Sequence, residues 1–193
     1  MTIPYPHIPP VILRLGPLTI RWYGVMYVVG YVVGVRIARA RIGRGLVAMT
    51  EDALDAFVGY LVVGMLVGAR SMYAIAYEPD HFRRDPLEFF RVWHGGLSFH
   101  GAVIGMAIAA LVFARVHRVP FWQLADTLAL AGTPGLFFGR LGNFINGELY
   151  GRPTHVPWAM VFPADPLALP RHPSQLYEAI AEGLILFLVL RAL

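Results

Sequence analysis

Long apolar stretches separated by short polar segments make up most of the chain. Five of them are predicted to be membrane-spanning helices, over residues 18–37, 53–75, 97–114, 124–144 and 175–190. A helix needs about 20 mostly apolar residues to cross the hydrocarbon core of a bilayer, and fewer where it is partly buried. The second and third stretches are the clearest, because the fourth and fifth carry ionisable residues. The pattern therefore predicts an all-α fold, a polytopic integral membrane helix bundle.

Residues 147–172 follow a different pattern, with prolines at positions 153, 157, 163, 166 and 170. Such a density of proline forbids a long helix, so this segment is predicted to be a small Pro-rich external cap. Pro173 suits the first position of a helix, and the last helix is therefore predicted to start there. Residues 1–193 are expected to form a single membrane domain that includes the cap.

Composition supports the membrane prediction. The 193 residues are 57% hydrophobic and only 15% charged, whereas soluble domains are typically about 25% charged. The net charge of +4 comes without a basic face interleaved with stacking aromatics, so it does not indicate nucleic-acid binding. The chain has no cysteine, which excludes a disulfide, a cysteine-ligated metal and a thiol nucleophile of its own. Any reacting thiol must belong to the substrate.

The arginines predict how the helices are oriented. Four arginines lie at or just after the end of the first apolar stretch, and two follow the third. Cytoplasmic loops carry such an excess of basic residues. The N-terminus, residues 78–91 and the cap are therefore predicted to lie outside the cytoplasm. The N-terminus also lacks the basic region of a signal peptide, so we expect the first apolar stretch to be retained.

One polar segment stands out in this apolar chain, "GRLGNFINGELYG" over residues 139–151. If its helix continued, Arg140, Asn143 and Glu148 would fall within about 140° of arc and face one cavity. Gly147 and Gly151 instead favour an unwound backbone beyond the helix, which is tolerated at membrane depth where it lines a cavity.

An arginine with neighbouring amides is a natural receptor for a phosphate, because it presents paired planar donors. This segment is therefore interpreted as a binding site for an anionic headgroup. The alternative is an ordinary polar helix end, in which Arg140 extends to the interface while Asn143 and Asn146 act as caps.

Two other candidates belong to the outer ends of helices. His94 and His100 are separated by about 120° on a helix and lack a ligand four residues away, so a metal site is not indicated. His100 is suited to accept a proton near neutral pH, although the residues alone favour a buried histidine bonded to a carbonyl. Tyr23 follows Trp22, and such a pair is more often part of an interfacial aromatic belt.

Further ionisable residues lie within the apolar stretches, where unpaired charge is costly. Arg70 and Asp126 are expected to neutralise each other between helices. Glu178 and Glu182 are four residues apart and share one helix face. That face either lines a site or meets Arg70.

Four stretches resemble one known family. "GRLGNFINGELYGRPT" is similar to the signature of the bacterial prolipoprotein diacylglyceryl transferases. "IRWYGVMYVVGY", "FFRVWHGGLSFHGAVIG" and "LPRHPSQLYEAIAEG" resemble the same family in the same order, from about residue 12 onward. The resemblance implies transfer of the diacylglyceryl group of phosphatidylglycerol to the lipobox cysteine thiol of a prolipoprotein, which releases glycerol 1-phosphate. This is the first step of lipoprotein maturation.

The resemblance also implies roles for individual residues. Those matching catalytically important positions are His100, Tyr23, Asn143 and Glu148, and those matching substrate-binding positions are Arg140 and Gly151. No cofactor or metal is implied. The expected partners are phosphatidylglycerol, the signal peptide of a prolipoprotein with its lipobox cysteine, and membrane lipids. The implied location is the bacterial inner membrane.

The resemblance has one departure. Members of the family usually have seven membrane helices, and a further essential arginine follows the "HPSQLYE" helix; this sequence contains no counterpart of it. The alternative function is therefore a non-catalytic shortened paralogue that binds phosphatidylglycerol or a lipoprotein signal helix. A small transporter is disfavoured, because no pair of interrupted helices repeats between the two halves.

Overall fold

The computed structural model describes residues 2–193 and is mostly helical. Its α-helices are α1 Trp22–Gly43, α2 Glu51–Ala76, α3 Pro79–Arg84, α4 Phe99–His117, α5 Phe121–Asn146, α6 Ser174–Glu178 and α7 Leu186–Ala192. Two 3₁₀ turns cover Pro86–Phe90 and Val92–His94, and a π-helical stretch, Ala179–Ile185, joins α6 to α7. The strands are β1 Val11–Leu15, β2 Leu18–Arg21, β3 Met160–Val161 and β4 Pro170–Arg171.

The chain is mostly helical, as the all-α prediction requires, but it also contains two short antiparallel strand pairs that were not predicted. β1 and β2 form an antiparallel hairpin whose turn includes Gly16 at φ +59°. Since residues 18–21 belong to this hairpin, the first helix begins at Trp22, later than predicted. The last helix begins at Ser174, with Pro173 just before it rather than in its first position.

Two helices have the length and composition of a membrane span within residues 2–193. They are α2, with a mean hydropathy of 1.6, and α4, with a mean hydropathy of 1.9. Both are predominantly exposed along these apolar windows, since only 17% and 33% of the respective residues are buried. An exposed apolar face is what a bilayer solvates.

Contacts divide the chain into two compact units. The first comprises Met1–Ala38 with Leu128–Leu193, and the second comprises Arg39–Thr127. The single membrane domain over residues 1–193 stays a prediction.

Glycines allow close helix packing in the first unit. A Cβ on Gly30 of α1 would lie 3.0 Å from the Cα of Gly135 in α5, and one on Gly34 would lie 2.6 Å from the Ala131 carbonyl oxygen. Gly183 of the π-helical stretch approaches Phe137 of α5 in the same way, with a Cβ position 2.6 Å from the Phe137 Cβ. A larger side chain at these positions would force the helices apart.

The predicted cap contains a short sheet and shares a small, largely aromatic core with residues outside it. Tyr5, Phe144, Met160 and Phe162 are buried together, and β3 pairs with β4. Arg171 of β4 binds both carboxylate oxygens of Asp165, at 2.5 and 3.0 Å. The hydrogen bonds from Arg171 lower the pKa of Asp165 to about 2.

The second unit is built around α2 and α4. A Cβ on Gly64 would lie 2.6 Å from the Gly105 carbonyl oxygen, and one on Gly68 would lie 2.7 Å from the Gly105 Cα. Further along, Phe113 is fully buried against Phe57, with ring centroids 4.9 Å apart. Close backbone approach at small residues is a common way for membrane helices to associate.

Candidate functional site

The candidate site begins at the C-terminal end of α5, and Gly147 determines how that helix ends. Gly147 has φ +70°, its N–H donates to the Phe144 carbonyl, and the next N–H, of Glu148, donates to the Asn143 carbonyl. These two bonds and the left-handed glycine define a Schellman C-cap. The helix therefore stops at Asn146, and the predicted unwinding beyond it is confirmed.

The cap brings Asn143 and Glu148 side by side. In many Schellman caps these two positions make a hydrophobic contact. Here the Asn143 amide donates to Glu148 Oε1 at 3.1 Å, and the Asn146 amide donates to the same oxygen at 3.0 Å. Asn143 is buried, whereas Glu148 is exposed. The result is a carboxylate that two amides hold in place.

The two asparagines do not cap the helix in the way that the alternative of an ordinary polar helix end predicts. Both asparagine amides bind the Glu148 carboxylate rather than the backbone carbonyls of the helix end. Arg140 contacts Glu178 of α6 at 2.5 Å, and about a third of each side chain is exposed, 30% and 31%. Glu178 thus meets Arg140 and not Arg70, while Glu182 is exposed.

Tyr23 lies against the same segment of α5. A Cβ on Gly142 would be 3.0 Å from the Tyr23 Cδ2, so this glycine allows the tyrosine ring to pack on the helix. The Tyr23 hydroxyl is 3.0 Å from the Tyr27 hydroxyl, one turn further along α1. Tyr23 therefore packs against residues 139–151. A tyrosine that belonged only to an interfacial aromatic belt would not need this contact.

Gly151 lies at a close backbone contact. Its N–H donates to the His172 carbonyl at 2.9 Å, and a Cβ would lie 3.0 Å from the His172 Cβ. Residues 148–151 thus pack directly against residues 172–175 just before and within α6. Only glycine fits this approach without movement of the neighbouring segment.

His100 belongs to the second unit and lies in the first turn of α4. Ser98 caps that helix by accepting from the Gly101 N–H at 3.3 Å. The His100 side chain is exposed, and no hydrogen bond to it is recorded within residues 2–193. The alternative of a buried histidine bonded to a carbonyl is therefore wrong. The nearest aromatic ring is that of Phe99, 5.9 Å away.

Arg70 of α2 organises the loop that leads to α4. Its side chain is 3% exposed, and its guanidinium donates to the carbonyls of Phe89 at 3.1 Å, Gly95 at 2.5 Å and Gly96 at 3.0 Å. It also contacts Glu88 through both the carbonyl and the carboxylate. The predicted pairing with Asp126 is wrong, because Arg70 is occupied by this loop and Asp126 is exposed.

Glu88 is the acidic centre of this loop. It accepts from Arg91 at 3.0 Å and lies 2.9 Å from the Nδ1 of His94. These hydrogen bonds, that from Arg91 first, lower the pKa of Glu88 below its ordinary value. His94 therefore has a structural partner, in contrast to His100.

Sequence reasoning missed several residues that contact the signature segment. Gln175 donates to the Glu148 carbonyl at 2.6 Å, and Ser174 donates to the Leu149 carbonyl at 2.9 Å. Both belong to the "HPSQLYE" stretch, which also contains Glu178. This stretch resembles the family, but no periodicity or spacing in the sequence indicates a contact with residues 139–151. Its contacts depend on how two distant segments pack.

Comparison with known proteins agrees with the resemblance. A family profile described as prolipoprotein diacylglyceryl transferase matches residues 10–193. That match covers nearly the whole chain. The chain belongs to this family.

Curated phosphatidylglycerol–prolipoprotein diacylglyceryl transferases are close relatives. That of Bordetella bronchiseptica is 50% identical over 187 residues, which is 96% of this chain and 71% of the relative. That of Geobacter sulfurreducens is 47% identical over 188 residues, covering 97% and 72%, and that of Haemophilus influenzae is 48% identical over 187 residues, covering 96% and 70%. Prolipoprotein diacylglyceryl transferases are bacterial membrane enzymes, and the apolar helices α2 and α4 agree with that.

Proposed function

We propose that this protein transfers the diacylglyceryl group of phosphatidylglycerol to the lipobox cysteine of prolipoproteins. Membership of the family and the names of its relatives support this reaction. The structural observation that carries it is the cluster at the end of α5, where Arg140, Asn143 and Glu148 lie within one short segment. The cluster combines a cation for a phosphate with a carboxylate fixed by amides.

Arg140 is the proposed phosphate ligand. One of its terminal nitrogens contacts Glu178, and the partly exposed guanidinium has further donors for the two oxygens of a phosphodiester. During the reaction, the sulfur of the cysteine bonds to the glyceryl carbon while that carbon separates from the phosphate oxygen. Glycerol 1-phosphate leaves with the extra negative charge, which Arg140 stabilises as it develops.

The thiol proton must be removed, because the thiolate is the effective nucleophile. His100 is proposed as its acceptor, since its imidazole is exposed and free of hydrogen bonds within the described part of the chain. Asn143 and Glu148 are proposed to orient the headgroup, and Tyr23 to complete the site beside Gly142. Gly151 is proposed to support substrate binding by letting residues 148–151 pack closely against residues 172–175.

The membrane arrangement is also part of the proposal. We infer a polytopic bundle with about five spanning helices, formed as a single domain over residues 1–193, and an external cap over residues 147–172. The excess of arginines at the C-terminal ends of α1 and α4 supports an extracytoplasmic N-terminus and cap. Phosphatidylglycerol would then reach the site from the surrounding bilayer of the inner membrane.

One assay tests the reaction. Purified protein is mixed with phosphatidylglycerol labelled in its diacylglyceryl group and with a lipobox peptide, and the label on the peptide cysteine is measured. We expect label in a thioether, and none with a peptide in which serine replaces the cysteine. Binding of the lipid without transfer would instead favour the non-catalytic paralogue.

A second measurement tests the proton acceptor. His100→Gln should lower the transfer rate and flatten its dependence on pH near neutrality, because the group that accepts the thiol proton is absent. A pH–rate profile identical to that of the parent protein would exclude His100 from this role.

A further inference from the structure

Residues 172–175 make hydrogen bonds to residues 148–151 at three places. The His172 carbonyl accepts from the Gly151 N–H at 2.9 Å, and the Ser174 hydroxyl donates to the Leu149 carbonyl at 2.9 Å. The Gln175 amide donates to the Glu148 carbonyl at 2.6 Å. These bonds join segments more than twenty residues apart in the sequence. They fix the backbone of residues 148–151 from one side.

Gln175 is the most buried member of this contact. Its side chain is 0% exposed, and its Oε1 has no hydrogen-bond partner in the described part of the chain. A buried acceptor without a partner costs free energy that an apolar side chain of the same size would avoid. The amide orientation is nevertheless clear, because the Glu148 carbonyl requires a donor and only the Nε2 of Gln175 provides one.

We propose that Gln175 is a positioning residue that sets the Glu148 carboxylate for catalysis. Gln175 holds the backbone of Glu148, while Asn143 and Asn146 hold its Oε1. The residue at position 148 is thereby fixed at both its backbone and its side chain. Such support from outside the reacting groups is needed because small displacements of a catalytic group lower the rate strongly.

The left-handed backbone at this point makes the support necessary. Leu149 has φ +56°, a conformation that is unfavourable for a branched side chain. Gly147, two residues earlier, also has a positive φ of +70°. Glycine adopts this conformation without strain, so Leu149 is the residue that relaxes unless its neighbours hold it. The bonds from Ser174 and Gln175 to the Leu149 and Glu148 carbonyls supply that restraint.

The test rests in part on the proposed function and uses Gln175→Met, which keeps the length of the side chain but removes its amide. Gln123→Met is the matched control, since Gln123 accepts one hydrogen bond from the Ala48 N–H in the other unit. Two readouts are needed. Amide hydrogen exchange of residues 147–151 reports on the loop itself, and the transfer rate reports on catalysis.

We expect Gln175→Met to speed exchange of residues 147–151 and to lower the maximal rate by about 10- to 100-fold, with little change in the KM for phosphatidylglycerol. Gln123→Met should leave exchange in that loop unchanged. In a Glu148→Gln background, the same Gln175 substitution should cost little further rate, because Gln175 acts through Glu148.

Unchanged exchange in residues 147–151, or a rate loss that is undiminished in the Glu148→Gln background, would overturn the proposal. If Gln175→Met does not fold, Ser174→Ala removes the neighbouring bond to Leu149, and its exchange and rate decide by the same criteria. If the parent protein binds lipid but transfers nothing, the proposed function fails. The exchange measurement then still decides whether Gln175 restrains the loop.

Discussion

Arg70 and Arg140 are two arginines in apolar helices with opposite surroundings. Arg70, in the second unit, is 3% exposed and binds the carbonyls of one loop together with Glu88. Arg140, in the first unit, is 30% exposed, and its recorded ion pair within residues 2–193 is with Glu178. The first arginine has its donors used by its own protein. The second makes one ion pair within the described residues, and its side chain is partly exposed.

The difference shows that a membrane arginine is not by itself a sign of ligand binding. A buried guanidinium surrounded by carbonyls is a structural cross-link, since its donors satisfy backbone groups that would otherwise lack partners. A guanidinium with one carboxylate partner and a partly open side is suited to exchange that partner for a phosphate. The distinction depends on the number and kind of acceptors, which the residue type does not reveal.

The largest effect is expected from Arg70→Met. The substitution removes the donors for the carbonyls of Phe89, Gly95 and Gly96, so we expect a loss of roughly 3–5 kcal/mol in the free energy of unfolding. Unfolding of the detergent-solubilised protein by SDS, followed by tryptophan fluorescence, measures it. Arg83→Met is the control, because its contact with Asp80 is exposed, and should change stability by less than about 0.5 kcal/mol. Equal losses of unfolding free energy in Arg70→Met and Arg83→Met would contradict the structural role of Arg70.

Arg140→Ala should show the reverse behaviour. We expect the maximal transfer rate to fall by about 100- to 1,000-fold, because a group that stabilises developing phosphate charge is lost. The free energy of unfolding should change by less than about 1 kcal/mol, since the ion pair with Glu178 is partly exposed. Arg152→Ala, at an exposed position in the predicted cap, is the control for loss of positive charge. A variant that labels the lipobox peptide at the parental rate would exclude the phosphate role.

Glu178→Gln tests whether Arg140 exchanges its partner. Removing the competing carboxylate should strengthen binding of phosphatidylglycerol by up to about fivefold, as expected for a partly exposed ion pair. Lipid binding to the purified protein in neutral-lipid vesicles measures the effect. Glu182→Gln is the control on the same helical segment, where the side chain is exposed. Weaker binding in Glu178→Gln would mean that the carboxylate helps to hold Arg140 in its binding position.

The smallest effect concerns the acidic partner of Arg70. The pKa of Glu88 is lowered below 4.5 by hydrogen bonds from Arg91 and His94. Its stabilising contribution is therefore complete above pH 4.5 and is lost as the pH falls through the lower folded-state pKa. Thermal unfolding midpoints of the parent and of Glu88→Gln should differ near pH 6 and converge in acid. A difference that stays constant at every acidic pH at which both proteins remain folded would contradict this assignment.

The course of α5 shows how far local patterns reach. The apolar stretch at residues 124–144 predicted the helix, and Gly147 predicted where it would unwind, because a left-handed C-cap requires a residue without a side chain. The hairpin β1–β2 was not predicted. Residues 18–21 continue an apolar stretch, and the pairing with residues 11–15 that makes them a strand leaves little trace in a helix-length hydrophobic pattern.

The pairing of charged residues shows the opposite limit. The sequence predicts a pair between Arg70 and Asp126 because both are charged residues in apolar stretches. In the structure, Arg70 instead binds backbone carbonyls of one loop and Glu88. Backbone acceptors are the same for every sequence, so residue types cannot indicate where they converge. Glu178 was recognised as a candidate, but its partner depended on the packing of α6 beside α5.

The sequence by itself determined the apolar helices, the break after Asn146 and the presence of polar groups suited to an anion, because these follow from hydrophobicity, glycine conformation and side-chain chemistry. Tertiary structure decided which arginine is buried among the carbonyls of a loop and which is partly exposed beside one carboxylate. It also brought Gln175 and Ser174 into contact with the loop at Glu148. Those outcomes depend on contacts between segments distant in the chain, and contact geometry is set only when the helices pack.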